Sequence, residues 1–230
     1  MKRWVSPTSS GGQMALLLVV SSVIAGISRL VMEQVALQPG DVIAQFKFWQ
    51  LVTTTFLVPL SPLSLIFGLI IVLQTATWLE AQWGRKKLWA FVLGVNVLAN
   101  LATVLVALVS PAVSAMTFFG GLTTIGAVWI AQGLIVGPGR LNWFGFPVSG
   151  YAFAVIGAAF TLLSAVTGAW FAVLPQLFGI AITIAWVQGY TPANLLLRWR
   201  SRQLSRDLRK RASHLSIIDG KKSDRDQYLN

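Results

Sequence analysis

The chain has 230 residues, is 55% hydrophobic and only 11% charged, and carries a formal net charge of +11 with no cysteine. A soluble domain holds about 25% charged residues, so an ordinary globular protein is excluded and a single membrane-embedded body is expected. Without cysteine there are no disulfides, no thiolate zinc sites and no cysteine nucleophile.

In chain order, Lys2 and Arg3 precede a polar linker, SPTSSGGQ, and then an apolar run from about Met14 to Met32. The beginning has the look of a signal peptide. It lacks a small-residue cleavage site and is long enough to span, so a retained first helix is expected. The next stretch, DVIAQFKFWQLVTTTFLVPLSP, is aromatic and mildly polar. It is too interrupted to span, and reads either as a segment lying in or dipping into the membrane interface (about 41–61) or as a short helix covering the bundle. Five further apolar segments follow: Leu63 to Leu79, Leu88 to Val109, Met116 to Val136, Val148 to Phe171, and Leu174 to about Gln188. Roughly 20 apolar residues at about 1.5 Å each cross the hydrocarbon layer, and a helix alone satisfies its own backbone there. The expected fold class is therefore all-α: a polytopic bundle of six transmembrane helices within residues 14–190, after a short N-terminal segment (1–13) and before a basic tail (191–230).

If the spans alternate in direction, Lys2, Arg3, Arg85, Lys86, Lys87, Arg140 and the ten basic residues of the tail share one side. Only Lys47 lies in a loop on the other, with Arg29 near the end of the first span. The positive-inside rule makes both termini cytoplasmic. Glu80, Trp83 and Gly84 then form a tight turn pinned by three cations, with Gly84 ending one helix. In the tail, Leu197, Leu204, Leu208 and Leu215 fall near one helical face among Arg198, Arg200, Arg202, Arg206, Arg209, Lys210 and Arg211. That pattern predicts a basic amphipathic helix on an anionic leaflet, with lipid head groups as its partner. No nucleic-acid-binding fold accompanies it.

Chemistry inside the bilayer is sparsely provided for. The single histidine, His214, is in the tail, no aspartate lies in a span, and there is no HExxH. Paired-aspartate, metalloprotease and haem chemistry are excluded on those grounds, and no metal or other cofactor is expected. Serine and threonine hydroxyls without a base are poor nucleophiles and more often bond between packed helices. Asn96 and Asn100, one turn apart on one face, together with Gln74, are candidates for a polar core, either lining a small cavity or clipping helices together. Gly120, Gly121, Gly126, Gly157 and Gly179 favour close backbone approach.

Two stretches, FWQLVTTTFL (Phe48 to Leu57) and LEAQWGRKKLWAFVLGVNVLAN (Leu79 to Asn100), resemble the rhomboid superfamily. Within it they look most like the Golgi-type rhomboid-like transmembrane proteins, which show a similar W-x-L-x-T entry, LE-x-x-WG turn and N-V-x-x-N helix. The resemblance implies a six-helix core with a membrane-dipping first loop. Active rhomboids use a serine in GxSG and a histidine in HxxG; here GLTT puts Thr123 at the serine position and QLFG puts Gln176 at that of the histidine. A dyad without an imidazole cannot activate a hydroxyl. The resemblance therefore implies a pseudoprotease, not an enzyme, that binds membrane proteins in assembly, trafficking or quality control. A structural subunit of a larger membrane complex is the alternative reading, with an active rhomboid-type protease or a small-solute transporter further behind.

Overall fold

The computed structural model describes residues 9–143, 145–167 and 170–190; the expected tail helix lies outside them. Two compact units divide the chain after Gln188, and the elements below belong to the first. Helix α1 (Ser10–Ile27) starts at Ser9, whose side chain accepts from the Gly12 amide. It stops at Ser28, whose extended backbone breaks the apolar run and whose hydroxyl caps α2 (Arg29–Val35). The first apolar segment therefore ends five residues earlier than its hydropathy suggests. Short turns follow: α3 (Pro39–Ala44), α4 (Gln50–Thr53) and a 3₁₀ turn over Thr54–Phe56.

Helix α5 (Pro62–Trp83) begins with Ser61 as cap and Pro62 at its first position, the arrangement a helix start favours. One residue, Gly84 at φ 79°, separates it from α6 (Arg85–Ala107). After α7 (Pro111–Ser114), Phe118 pairs with Leu37 in an isolated antiparallel bridge, so α8 (Gly120–Val136) starts later than the expected Met116. Gly137, at φ 59°, ends α8. A two-stranded hairpin, β1 (Arg140–Trp143) and β2 (Phe146–Ser149), then corrects the purely helical expectation. It leads into α9 (Gly150–Thr167), and a 3₁₀ turn over Trp170–Val173 enters α10 (Leu174–Val187).

Four helical stretches are long and apolar enough to cross a membrane: Ser10–Ile27, Pro62–Trp83, Arg85–Ala107 and Trp170–Val187. Gly120–Val136 and Gly150–Val166 are shorter and equally apolar. The main core is centred on Trp129, which meets Phe67, Trp143, Phe153 and Phe160 at ring separations of 5.3–5.7 Å. Large apolar side chains also cover the outside, among them Leu16, Ile24, Leu63, Ile66, Leu105, Val155 and Leu163. A water-soluble protein rarely exposes so much contiguous apolar surface; a lipid-facing one must.

The helix directions give the bundle two unlike ends. At one, Ser10 meets Glu80, and Trp186 near the end of α10 meets Phe91 early in α6. Among the described residues this end holds Arg85, Lys86, Lys87 and Arg140, all exposed, against one acid, Glu80. At the other end every described charge is paired: Arg29 with Glu33 at 2.9 Å and Lys47 with Asp41 at 2.7 Å. The first end is called cationic below, and the second, which carries the first loop, the loop end.

Candidate functional site

Backbone that is neither helix nor sheet needs partners wherever water is excluded. The first loop (about 41–61) has this problem in acute form over residues 51–58, where α4 and the 3₁₀ turn end and Thr54, Thr55, Leu57 and Val58 are buried. Its groups are satisfied from several directions. Asn100 Nδ2 donates to the Leu51 carbonyl at 2.9 Å, and Thr124 Oγ1 to the Thr55 carbonyl at 2.7 Å. The Ser21 hydroxyl donates to the Phe56 carbonyl at 2.9 Å, and the Gly121 amide to the Leu57 carbonyl at 2.8 Å. The Val58 amide donates to Ser22 Oγ at 3.0 Å.

The exchange runs both ways. The first amides of α8 have no partner within their own helix, and Phe119 supplies no side-chain cap. Thr54 Oγ1 accepts from the Gly120 amide at 3.0 Å and donates to the Phe118 carbonyl at 3.2 Å. Asn96 Nδ2 donates to Thr124 Oγ1 at 2.8 Å and to the Val92 carbonyl at 2.9 Å. Asn96 thus holds the hydroxyl that holds the loop. Two glycines make this closeness feasible. A Cβ on Gly121 would lie 2.5 Å from the Leu57 carbonyl oxygen, and one on Gly120 2.9 Å from that of Thr54.

Outside the buried seam the same loop displays aromatics. Phe46, Phe48 and Trp49 are 69, 58 and 49% exposed. Phe46 sits at φ 56°, the only described non-glycine residue with positive φ, a conformation that costs a residue bearing Cβ roughly 1–2 kcal/mol. Its ring leans on Phe48 at 6.0 Å. Around it, Trp49 Nε1 donates to the Gln34 carbonyl, Gln50 Nε2 to that of Glu33, and Thr53 Oγ1 to that of Val35. The loop is a short-turned wedge fastened at many points.

The expected site residues fall into separate places. Asn96 and Asn100 are fully buried at the seam. Gln74 is half-buried on α5, and none of the hydrogen bonds between described residues joins it to either asparagine. Thr123 is buried with its methyl towards Gly179 of α10, where an added Cβ would come within 2.5 Å of Thr123 Cγ2. The Thr123 hydroxyl has no partner among the described residues. Gln176, half-buried, lines a cleft with Leu122, Ile125 and Gly126 instead. The residue of α10 that faces Thr123 is therefore a glycine.

At the cationic end, Gly84 closes the α5–α6 turn and Trp83 packs edge-on against Phe91 at 5.1 Å, with Lys87 Nζ 5.1 Å from the Trp83 ring. Glu80 does not pair with the neighbouring cations. It accepts from the Ser10 amide and the Ser10 hydroxyl, both at 2.7 Å, so it caps the start of α1 across seventy residues of chain. A carboxylate is the natural partner for the positive end of a helix dipole. Arg85 adds a second tie, donating to Gln13 Oε1 at 2.7 Å. Arg198, Arg200, Arg202, Arg206, Arg209, Lys210 and Arg211 lie outside the described residues. Ser21, Ser22, Thr54 and Thr124 carry no signal of their own in the sequence, since hydroxyls abound in every segment.

Apolar helices of spanning length and a lipid-compatible surface define a polytopic integral membrane protein. Residues 13–197 match the family described as "Eukaryotic integral membrane protein (DUF1751)", and the chain belongs to that family. No curated protein matches it.

Proposed function

We propose that this chain is a non-catalytic, rhomboid-like member of the Golgi type that binds other membrane proteins and presents its first loop to them. One observation carries this reading. Asn96, Asn100 and Thr124, buried beside Thr123, are committed to fixing the loop, while Phe46 at φ 56° stands with Phe48 and Trp49 on the loop's exposed side. A hydrolase would instead need a hydroxyl aligned with a base at that depth, and the α10 residue facing Thr123 is Gly179.

In this reading all six apolar helices cross the bilayer. Helix α8, with 17 residues, extends over about 25 Å, and α10 reaches 18 residues only with its preceding 3₁₀ turn (Trp170–Val187); such lengths suit the thinner endomembranes at about 27 Å. Arg85, Lys86, Lys87 and Arg140, none of them in a salt bridge among the described residues, lie at the end shared by Ser10 and Gln188 and support cytoplasmic termini, and the seven basic residues from Arg198 to Arg211 support contact with an anionic leaflet.

The test is co-purification in mild detergent with mass spectrometry, comparing the native chain with Phe48→Ala/Trp49→Ala. Partners should be lost from the double variant while the bundle stays folded. Cleavage of a transmembrane substrate by the purified protein, abolished by Thr123→Ala, would overturn the proposal. Recovery in fixed stoichiometry with one complex would favour a structural subunit.

A further inference from the structure

The hairpin at the cationic end has two unlike faces. Its register pairs Leu141 with Val148 and Trp143 with Phe146, and sets Arg140 opposite Ser149 and Asn142 opposite Pro147. Opposed residues of an antiparallel ribbon point the same way, and successive ones alternate. One face is therefore wholly apolar: Leu141, Trp143, Phe146 and Val148. The other holds Arg140, Asn142, Pro147 and Ser149. Pro147 has no amide hydrogen to leave unpaired, which suits a two-stranded ribbon whose outer edges have no strand beside them among the described residues.

The apolar face is turned towards the bundle. Leu141, Trp143 and Val148 pack on the main core. Trp143 meets Trp129 at 5.6 Å and Phe153 at 5.5 Å. Trp129 lies about 10 Å short of the end of α8 at Val136, so the ribbon lies down against the spanning helices and does not stand away into water. Its base is clamped. The Gly150 amide donates to the Gly139 carbonyl at 2.9 Å and the Tyr151 amide to the Gly137 carbonyl at 3.0 Å. A Cβ on Gly150 would come 2.5 Å from the Gly133 carbonyl oxygen, so no space is left there for a swing.

At the tip this apolar face runs past the bundle. Phe146, opposite the half-buried Trp143, is 72% exposed. Strand β2 leads directly into α9, whose first turns expose Tyr151 and Val155, so the uncovered ring continues the apolar outside of the spanning helices. A protein arriving from water would meet the opposite face, where Arg140 and Asn142 are exposed. An amphipathic helix at a bilayer surface sinks its apolar face about 5–10 Å into the boundary between head groups and acyl chains. A ribbon with the same division of faces, fixed at the end of two spanning helices, is placed to do likewise.

We propose that the hairpin is an interfacial anchor that lays its apolar face on the lipid leaflet at the cationic end, with Phe146 among the lipid chains and Arg140 and Asn142 towards water. The chain has no cysteine, so Phe146→Cys and Asn142→Cys each give a single thiol, on opposite faces near the tip. Each full-length variant is labelled with a thiol-reactive NBD fluorophore and reconstituted in phosphatidylcholine–phosphatidylserine vesicles. Quenching is read with phosphatidylcholine carrying a nitroxide on its acyl chain near the head group, and with iodide on both sides of the membrane. The label at Phe146 should be quenched by the nitroxide lipid about threefold more than the label at Asn142, and by iodide about threefold less. Both positions are exposed, so both variants should melt as the native chain does. Iodide quenching as strong at Phe146 as at Asn142 overturns the proposal, because the tip then stands in water. So does a Phe146 label shielded from both quenchers, which would mean that a protein surface, a second copy or a partner, covers it.

Discussion

Thr123 and Thr124 are adjacent, both buried, and open to the same substitution with opposite expected results. Thr124→Val removes the donor to the Thr55 carbonyl and the acceptor for Asn96 Nδ2. The Asn96 amide keeps Val92, but the Thr55 carbonyl is left with nothing in its place. Single interhelical hydrogen bonds in membrane proteins average about 0.6 kcal/mol and reach about 1.7, and an orphaned buried group costs about 1–3 kcal/mol. Together these give about 1–2 kcal/mol, several-fold to more than tenfold in the unfolding equilibrium. Thr123→Val swaps an unpartnered hydroxyl for a methyl in a site already lined by the Thr123 methyl and Gly179, so its cost should stay within about 0.5 kcal/mol or turn favourable. Reversible unfolding in mixed micelles measures both. The Thr124 variant should also lose hydrogen-exchange protection at the Leu57 and Gly121 amides. Equal costs for the two variants, or a larger one for Thr123, would refute the account of the seam.

Gly121→Ala drives a methyl into the Leu57 carbonyl and should cost about 1–3 kcal/mol, whereas Gly126→Ala should be neutral or stabilise by up to about 1 kcal/mol; thermal melts separate them. Glu80→Ala should free the start of α1, read as faster proteolysis near residues 9–13 and a loss of about 1–2 kcal/mol, while Glu80→Gln keeps an acceptor for Ser10 and should lose less than half as much. Phe46→Gly should leave the melting temperature unchanged or higher, by relief of about 1 kcal/mol of backbone strain, yet reduce partner recovery; a fall in both would mean that the ring is there for packing.

What the sequence shows of this fold is mostly what lipid enforces. The apolar segments, the one-residue turn at Gly84 and the shared face of Asn96 and Asn100 can all be read from hydropathy and spacing. The partners of those asparagines cannot, because Asn100 binds a loop carbonyl 49 residues away and no local pattern encodes that distance. Ser28 ends α1 where only Ser28 and Arg29 interrupt a run that resumes with Leu30, Val31 and Met32, too brief a dip for hydropathy to mark a helix end. The hairpin Arg140–Ser149 is missed because four-residue strands, one of them with a proline, are too short for alternation to stand out. Glycine counts mislead in the same way. Gly126 seems to promise close packing and faces empty space, while Gly133 and Gly150, unremarkable in sequence, mark where α8 and α9 touch. A glycine states what its own backbone permits, not which neighbour has taken the space.

The donors that hold the first loop come from three helices: Ser21 and Ser22 on α1, Asn100 on α6, Thr124 and the Gly121 amide on α8. A loop resting on one helix could peel away at the cost of one or two hydrogen bonds. This one must break with three elements at once, and each break strands a carbonyl where water is scarce. The loop, α8 and α6 are therefore expected to behave as one rigid piece, with Thr54 as the joint that also caps α8. Rigidity of that kind is what a binding surface gains from, since ordering cost is met during folding and not on contact. The strain at Phe46 fits the same logic: only a loop held from several sides can keep a ring in a conformation that the free chain would leave.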